Sequence, residues 1–160
     1  MIALGIGGAV VVGLMFLGAI LFPVFAQARR SALGNRCLSN MRRLNSAVTE
    51  YAADNDGAFP VANRWMDDLS LKSVRPRQLR CPAVGGVWNR RYGYAFNSEL
   101  SSKRASALEK DVPVIFDSTL VGRNATSGLE TLPKPGRHFA GSRAVNHVLM
   151  TDGSVTSKPN

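Results

Sequence analysis

Residues 1–26, MIALGIGGAVVVGLMFLGAILFPVFA, are the stretch of sequence that decides the architecture of this chain. No Asp, Glu, Lys, Arg or His occurs before Arg29, so all 20 Lys and Arg and all 11 Asp and Glu lie in the remainder. A helix of this length spans about 39 Å, which exceeds the roughly 30 Å hydrocarbon core of a bilayer. The stretch therefore predicts a helix that crosses a membrane or packs against other apolar helices.

The residues that flank this segment leave two questions open. Ala26-Gln27-Ala28 matches the small-residue pattern of a signal-peptide cleavage site. No basic residue precedes the apolar run, however, and the run is longer than the apolar core of a usual signal peptide. We therefore expect residues 1–26 to be retained. Arg29 and Arg30 follow the segment directly, and the positive-inside rule taken alone would place the rest of the chain in the cytoplasm.

Small residues in the apolar segment favour close contact between helices. Gly8, Gly13 and Gly18 let neighbouring backbones approach one another. Pro23 lacks an N–H donor, so we expect a kink or a locally loosened turn there. Together with Phe25, these residues are predicted to form an assembly helix.

The helical pattern continues into the charged part of the chain. Apolar residues recur in steps of three or four from Phe25 to about Ala53, and no proline interrupts them. We predict a helix of about 50 residues that is apolar over residues 1–28 and amphipathic over residues 29–53. The segment Asp54-Asn55-Asp56-Gly57 ends it, with Gly57 suited to a left-handed cap.

The rest of the chain predicts short strands joined by loops. Strand patterns occur at residues 91–97, 112–117 and 145–150, and the last of these is followed by a tight Asp152-Gly153 turn typical of a hairpin. Residues 119–137 have the composition of an exposed loop. We therefore predict an α+β fold in which the long N-terminal helix packs on a small antiparallel sheet. Residues 29–160 form its globular head.

The sequence contains no pattern typical of an enzyme. There is no Gly-x-Ser-x-Gly elbow and no glycine-rich phosphate loop, so we expect no catalytic residues and no cofactor. The start of a calcium loop at Asp54 has Trp65 where the loop needs its last carboxylate, which favours a simple turn. His138, His147 and Asp152 are possible metal ligands, but we favour packing at a strand end for the histidines and predict no metal site.

The net charge of +9 indicates either anionic partners or a soluble basic surface without a specific partner. Arg90 and Arg91 precede Tyr92 and Tyr94, which together form a possible surface for DNA or an anionic polysaccharide. The alternative is that these alternating aromatic residues pack one face of a sheet.

Two cysteines, Cys37 and Cys81, are too few for a disulfide scaffold or a four-ligand zinc site. They form one disulfide if the head lies in an oxidising compartment, or they are two separate buried thiols.

Four segments together resemble a known family. The sequence AILFPVFAQAR of residues 19–29 is similar to the end of the membrane segment in bacterial type IV pilin-like proteins and type II secretion pseudopilins. CLSNMRRL at residues 37–44 and YAADNDGAFP at residues 51–60 resemble the helix that follows it in that family. The pattern from His138 to Asp152-Gly153 is similar to a subgroup with a His-spacer-Asp-Gly signature.

The resemblance implies a structural subunit that assembles through its N-terminal helix into a filament or a membrane-anchored assembly. It also implies an exported head, either on a single-pass inner-membrane protein or in an extracellular filament. Cys37 and Cys81 would then meet oxidising conditions, and we expect them to pair. Ile6 occupies the position of the family's assembly glutamate, and no acidic residue precedes Glu50. The alternative function is a membrane-tethered module whose basic surface holds DNA or anionic polysaccharide.

Overall fold

One helix runs through the first third of the protein. The computed structural model describes residues 2–85, 91–108 and 111–159, with side chains from residue 11 onward. Helix α1 (Ile2–Asp54) has 53 residues, which corresponds to about 80 Å. The predicted continuity of the apolar and amphipathic halves is confirmed. The helix also continues through Pro23, so the turn does not melt there, because a proline removes only one hydrogen-bond donor from the ladder.

The end of α1 is a glycine cap. Gly57 has a φ of 78°, and its N–H donates to the Ala52 carbonyl at 2.8 Å. This left-handed residue satisfies a carbonyl that the helix would otherwise leave open. The predicted helix-ending turn at residues 54–57 is therefore confirmed.

Six strands form one sheet behind α1. They are β1 (Tyr94–Asn97), β2 (Pro113–Asp117), β3 (Thr126–Ser127), β4 (His138–Ala140), β5 (Arg143–Met150) and β6 (Val155–Pro159). A short helix, α2 (Trp65–Ser70), packs beside α1. The predicted hairpin is the β5–β6 pair, and its turn contains Gly153 at a φ of 83°.

The sheet is mixed, which corrects the prediction of an antiparallel sheet. β1 pairs antiparallel with β2 but parallel with β3. The reason is that the chain leaves β2 and passes to the far edge of β1, where it runs in the same direction as β1. The strand β3 and the turn Leu129–Thr131 both lie in residues 119–137, so this segment is more ordered than the predicted exposed loop.

Strands β2 and β4 lie end to end along the same edge of β5. Val145 in β5 pairs with both His138 and Pro159, and Leu149 pairs with both Ile115 and Val155. Because a strand has only two edges, β6 occupies one and β2 and β4 share the other. The C-terminal end of β2 therefore meets the N-terminal end of β4.

The hydrophobic core lies mainly between the sheet and the second half of α1. Leu44 on α1 packs in one cluster with Trp65 of α2 and with Tyr94 and Phe96 of β1. The opposite face of the sheet carries a smaller cluster around Phe116 and Val148. The buried side chains of α1 recur at helical spacing. They belong to Cys37, Met41, Leu44, Ala47 and Val48.

Replacing a buried leucine on α1 tests this packing. Leu44 is fully buried, so Leu44→Ala is expected to lower the free energy of unfolding by about 2–5 kcal/mol through lost burial and a residual cavity. Leu71→Ala is the matched control, because Leu71 is 83% exposed, and it should change stability by less than about 0.5 kcal/mol. Urea denaturation followed by tryptophan fluorescence measures both. Equal effects of the two substitutions would contradict the packing of α1 described above.

Candidate functional site

The part of α1 from Val11 to Phe25 presents an exposed apolar surface. Every residue from Val11 to Phe25 is exposed, and Phe16 and Phe25 are each 69% exposed. Of the residues predicted to form the assembly helix, Gly13, Gly18, Pro23 and Phe25 lie on this surface.

Gly8 also falls within α1, but its surroundings lie outside the described residues. A Cβ built on Gly13 or Gly18 would meet no atom within 4 Å, so the backbone is open to approach at both positions. The helix is long and apolar enough to cross a membrane.

A ring at the edge of the head lies beside the end of this apolar surface. Phe139 on β4 is 48% exposed, and it lines a cavity of about 390 Å³ together with Pro23 and Ala26 of α1. Phe139 is therefore an exposed apolar side chain of the head that lies next to the apolar part of α1.

The predicted disulfide is confirmed. Cys37 on α1 and Cys81 are bonded, with their Cα atoms 5.2 Å apart, and both side chains are buried. The bond ties the middle of α1 to the segment that precedes β1. Closing a loop of 44 residues is worth about 4 kcal/mol in the chain-entropy description of disulfide stabilisation.

A buried polar cluster occupies the point where β2 meets β4. Asp117 at the end of β2 is fully buried, and its Oδ2 lies 3.0 Å from His138 Nε2. The same oxygen accepts a hydrogen bond from the backbone N–H of His147 at 2.7 Å. Arg137 Nη1 approaches Asp117 Oδ1 at 3.3 Å. The buried carboxylate thus has partners on β4, on β5 and just before β4, as a buried charge requires.

Arg137 joins this cluster to the backbone around it. Its guanidinium donates to the carbonyl of Gly93 at 2.5 Å and to the carbonyl of Ser118. Burial lowers the pKa of Arg137, and the negative charge of Asp117 opposes that shift. The fork of arginine donors thereby holds the ends of β1 and β2 together.

Two histidine rings complete the cluster. His138 and His147 are stacked, with ring centroids 4.4 Å apart, and His147 Nδ1 lies 3.0 Å from Ser157 Oγ on β6. Burial lowers the pKa of His147, and a charge on His138 would lower it further. Asp117 and the carbonyl of Gly34 on α1 raise the pKa of His147 and so act in the opposite direction.

The geometry of the cluster is not that of a hydrolytic triad. Asp117 contacts the ring of His138, whereas the ring beside the Ser157 hydroxyl belongs to His147. A triad requires one histidine to bridge the carboxylate and the hydroxyl. The cluster instead connects β2, β4, β5 and β6 directly beneath α1. His138 lies at the start of β4, at a strand end as predicted, whereas His147 lies in the middle of β5.

Three potential metal ligands lie close together, but two of them are bonded to each other. The ligating atoms of Cys37, Cys81 and His138 lie within 4.8 Å of one another. The two sulfurs are bonded to each other, however, so neither is a thiolate available to a metal. Asp152 is exposed in the β5–β6 turn, where it accepts a hydrogen bond from the Ser154 N–H at 2.8 Å. It therefore does not join the two histidines.

The prediction that Tyr92 and Tyr94 line an exposed binding surface is wrong. Tyr92 is 8% exposed and Tyr94 is fully buried, because both pack in the core between the sheet and α1. Neither ring presents a face on which a base could stack. Arg91 is exposed, and Arg90 lies outside the described residues.

A different basic surface was missed by reasoning from the sequence. Arginines from α1 and from the segment before Cys81 line a groove of about 330 Å³. Arg36 and Arg43 lie seven residues apart on one helix face, and Arg75, Arg77 and Arg80 follow one another in RPRQLR. The helical spacing was a signal for the first pair. Nothing local in the sequence indicates that the two segments meet.

Comparison with protein-family models, with curated proteins and with solved structures finds no match to this chain. The function proposed below therefore rests on the residues and on their arrangement.

The shifted pKa of His147 predicts a pH dependence of stability. At a pH between the pKa of the folded ring and the unfolded pKa of about 6.5, the unfolded chain binds a proton at this histidine that the folded chain does not. The contribution of His147 is thus fully present above the unfolded pKa and is lost as the pH falls below it. We expect the free energy of unfolding to decrease from pH 7.5 to pH 5.5, and His147→Gln to show a shallower decrease.

An NMR titration of the imidazole rings provides the direct measurement. The His147→Gln variant identifies which of the two ring signals belongs to His147. A His147 pKa at or above the unfolded value would contradict the described burial of this ring.

Proposed function

We propose that the protein is a pilin-like structural subunit. It is anchored by the apolar half of α1 and assembles through that half into a filament or a membrane-bound bundle. The observation that carries the proposal is that every residue from 11 to 25 is exposed, on a helix whose other end is buried in a folded head. A soluble monomer rarely exposes so large a continuous apolar surface, so this surface faces lipid or copies of itself.

The continuous helix supports this proposal, because it fixes the position of the head relative to the anchored segment. Because α1 is one helix from Ile2 to Asp54, its apolar half and its buried half are a single rod. The disulfide at Cys37 and the polar cluster under Gly34 fix the head to that rod just above the apolar half. Packing the apolar halves of several copies would thereby set the spacing of their heads.

The disulfide also supports an exported head. Disulfides persist in oxidising compartments and are rare in the cytoplasm. The bond between Cys37 and Cys81 therefore favours an extracytoplasmic head over the orientation given by the positive-inside rule. The proposed location is a single pass through the inner membrane with the head outside, or an extracellular filament after release.

The glycines supply the means of assembly in the absence of a charged contact. In this proposal, apolar packing replaces the family's assembly glutamate, whose position is occupied by Ile6. Between apolar helices, close approach at small residues is the main source of contact energy. Gly13 and Gly18 have open space around them in one protomer, so another helix can approach at either position.

A charge placed on the apolar surface tests the anchor. Leu17→Asp puts a carboxylate in the middle of the segment, where insertion into a bilayer costs about 3 kcal/mol. We expect the full chain to shift from the membrane fraction to the soluble or aggregated fraction. Leu71→Asp on the head is the matched control and should leave the fractionation unchanged, because Leu71 is 83% exposed. If both variants remain in the membrane, α1 is not the anchor.

Enlarging the glycines tests assembly separately from anchoring. Gly13→Leu with Gly18→Leu keeps the segment apolar and meets no clash within a protomer, so membrane association should persist while cross-linked oligomers fall about fivefold or more. Gly122→Leu, a head position with equal open space, is the control. Cross-linking in native membranes and electron microscopy of the purified material measure the assembly. Oligomers that also form from a chain beginning at Arg29 would contradict assembly through α1.

A further inference from the structure

The arginine groove is a second exposed surface, separate from the apolar half of α1. One wall is a single face of α1, and the other wall is the segment that leads to Cys81. The wall on α1 contains Arg36, Ser39, Asn40 and Arg43. The facing wall contains Arg75, Arg77, Gln78, Arg80 and Pro82.

The two walls are held in place before any ligand binds. Arg36 is adjacent to Cys37 and Arg80 is adjacent to Cys81, so the disulfide fixes the two walls relative to each other. Asn40 Nδ2 also donates to the Arg80 carbonyl at 2.9 Å. The outer wall is braced by a turn in which the Arg75 N–H donates to Gln78 Oε1 at 2.7 Å. A groove ordered in advance loses little conformational entropy when a ligand binds.

The charge of the groove has one sign. No carboxylate lines it among the described residues. In the same described part of the chain, the five ion pairs use other cations, so Arg36, Arg43, Arg75 and Arg77 contribute exposed positive charge without a carboxylate partner. Like charges held close together repel one another, and a bound anion would relieve that repulsion.

The residue types indicate the chemistry of the anion. Every cation of the groove is an arginine, whose planar fork of donors matches phosphate oxygens in pairs. None of the lining residues carries an aromatic ring on which a base or a sugar could stack. The ligand is therefore held by the charges along its backbone.

The spread of the arginines along α1 favours a polymer over a single ion. Arg36 and Arg43 are separated by about 10.5 Å along the axis of α1. Duplex nucleic acid carries one negative charge per roughly 1.7 Å of its length, so several phosphates fit between these two positions. A site that recognises only charge gains most from a ligand of such high charge density, because binding releases many condensed counterions.

Lipid head groups lie too far away to be the ligand. An upright α1 that leaves the hydrocarbon at Ala28 places Arg36 about 12 Å further out. The head-group layer on each side of a bilayer is only about 5–8 Å thick. The groove would thus lie in the aqueous phase beyond the membrane, whereas Arg29 and Arg30 lie at head-group level.

We infer that this arginine groove binds duplex nucleic acid through its phosphate backbone, without reading base sequence. The inference concerns a different surface from the proposed assembly helix, and it applies equally to a single anchored copy and to a copy within a filament.

The test measures binding of a fluorescent 20-base-pair duplex to the full chain in nanodiscs of zwitterionic lipid. The groove variant combines Arg36→Gln, Arg43→Gln, Arg75→Gln and Arg77→Gln. The control variant removes the same charge from exposed positions elsewhere on the head, by Lys103→Gln, Arg104→Gln, Arg143→Gln and Lys158→Gln.

We expect the groove variant to bind the duplex at least tenfold more weakly than the control at the same salt concentration. Its slope of log affinity against log salt should be shallower by about 3–4, since each lost phosphate contact contributes about 0.9. Two duplexes of unrelated sequence should bind equally.

Equal losses in the two variants would overturn the inference, because net charge alone would then explain the binding. Loss of heparin binding with duplex binding retained would assign the groove to a sulfated polysaccharide and would also overturn it. The same holds if the groove variant loses only its binding to vesicles containing anionic lipid. Alkylation of free thiols and thermal unfolding verify that each variant keeps its disulfide and its fold. If the quadruple variant unfolds, the pairs Arg36→Gln with Arg43→Gln and Arg75→Gln with Arg77→Gln are measured separately, each expected to remove about half of the slope change.

Discussion

The burial of one face of α1 between Gly34 and Val48 is the contact on which the rest of the head depends. The sheet has two edges and two faces, and α1 covers the face that carries Tyr94 and Phe96. A three-dimensional core forms only when such a face is covered, since isolated strands and isolated helices are marginal in water. Toward its N-terminus the same helix carries an apolar surface, residues 11–25, that remains exposed. The N-terminal part of α1 therefore needs an apolar environment outside the head, whereas the C-terminal part is buried by the head itself. The position where this burial begins determines where the head starts.

The buried polar groups under α1 hold the ends of two strands together. Asp117 lies at the end of β2, His138 lies at the beginning of β4, and Arg137 directly precedes it. These two strands share a single edge of β5. A buried carboxylate that lost these partners would be an uncompensated charge in the core, which is strongly destabilising. The arrangement thus selects one alignment of β2 and β4 over others that apolar packing alone would tolerate. Gly34 packs on His138, where the Cβ of a larger residue would lie 3.6 Å from His138 Cβ and 3.7 Å from the ring Nδ1. The polar cluster and the helix contact are in this way one unit.

The apolar surface of α1 and the arginine groove lie at different heights along α1. The apolar surface of residues 11–25 is compatible with lipid or with other apolar helices, and the arginine groove is compatible only with an aqueous anion. The disulfide serves both, because it fixes the head to the rod and holds the two walls of the groove together. A protein with this arrangement can be anchored or assembled by one end while the charged side of its head stays free. Tyr92 and Tyr94 do not line the groove, because their rings fill the core next to it.

The sequence by itself determined the features that depend on near neighbours in the chain. The apolar run, the helical spacing that follows it, the cap at Gly57 and the Asp152-Gly153 hairpin were all predictable, because helices and tight turns are set by contacts within a few residues. Cysteine count together with a family resemblance also predicted the pairing of Cys37 with Cys81. Tertiary structure alone decided the parallel β3, the meeting of Asp117 with His138, the burial of Tyr92 and Tyr94, and the approach of Arg75 to the α1 face that carries Arg36. Each of these joins segments far apart in the chain, and their closeness follows from strand order and from the disulfide, which no local pattern of residues encodes.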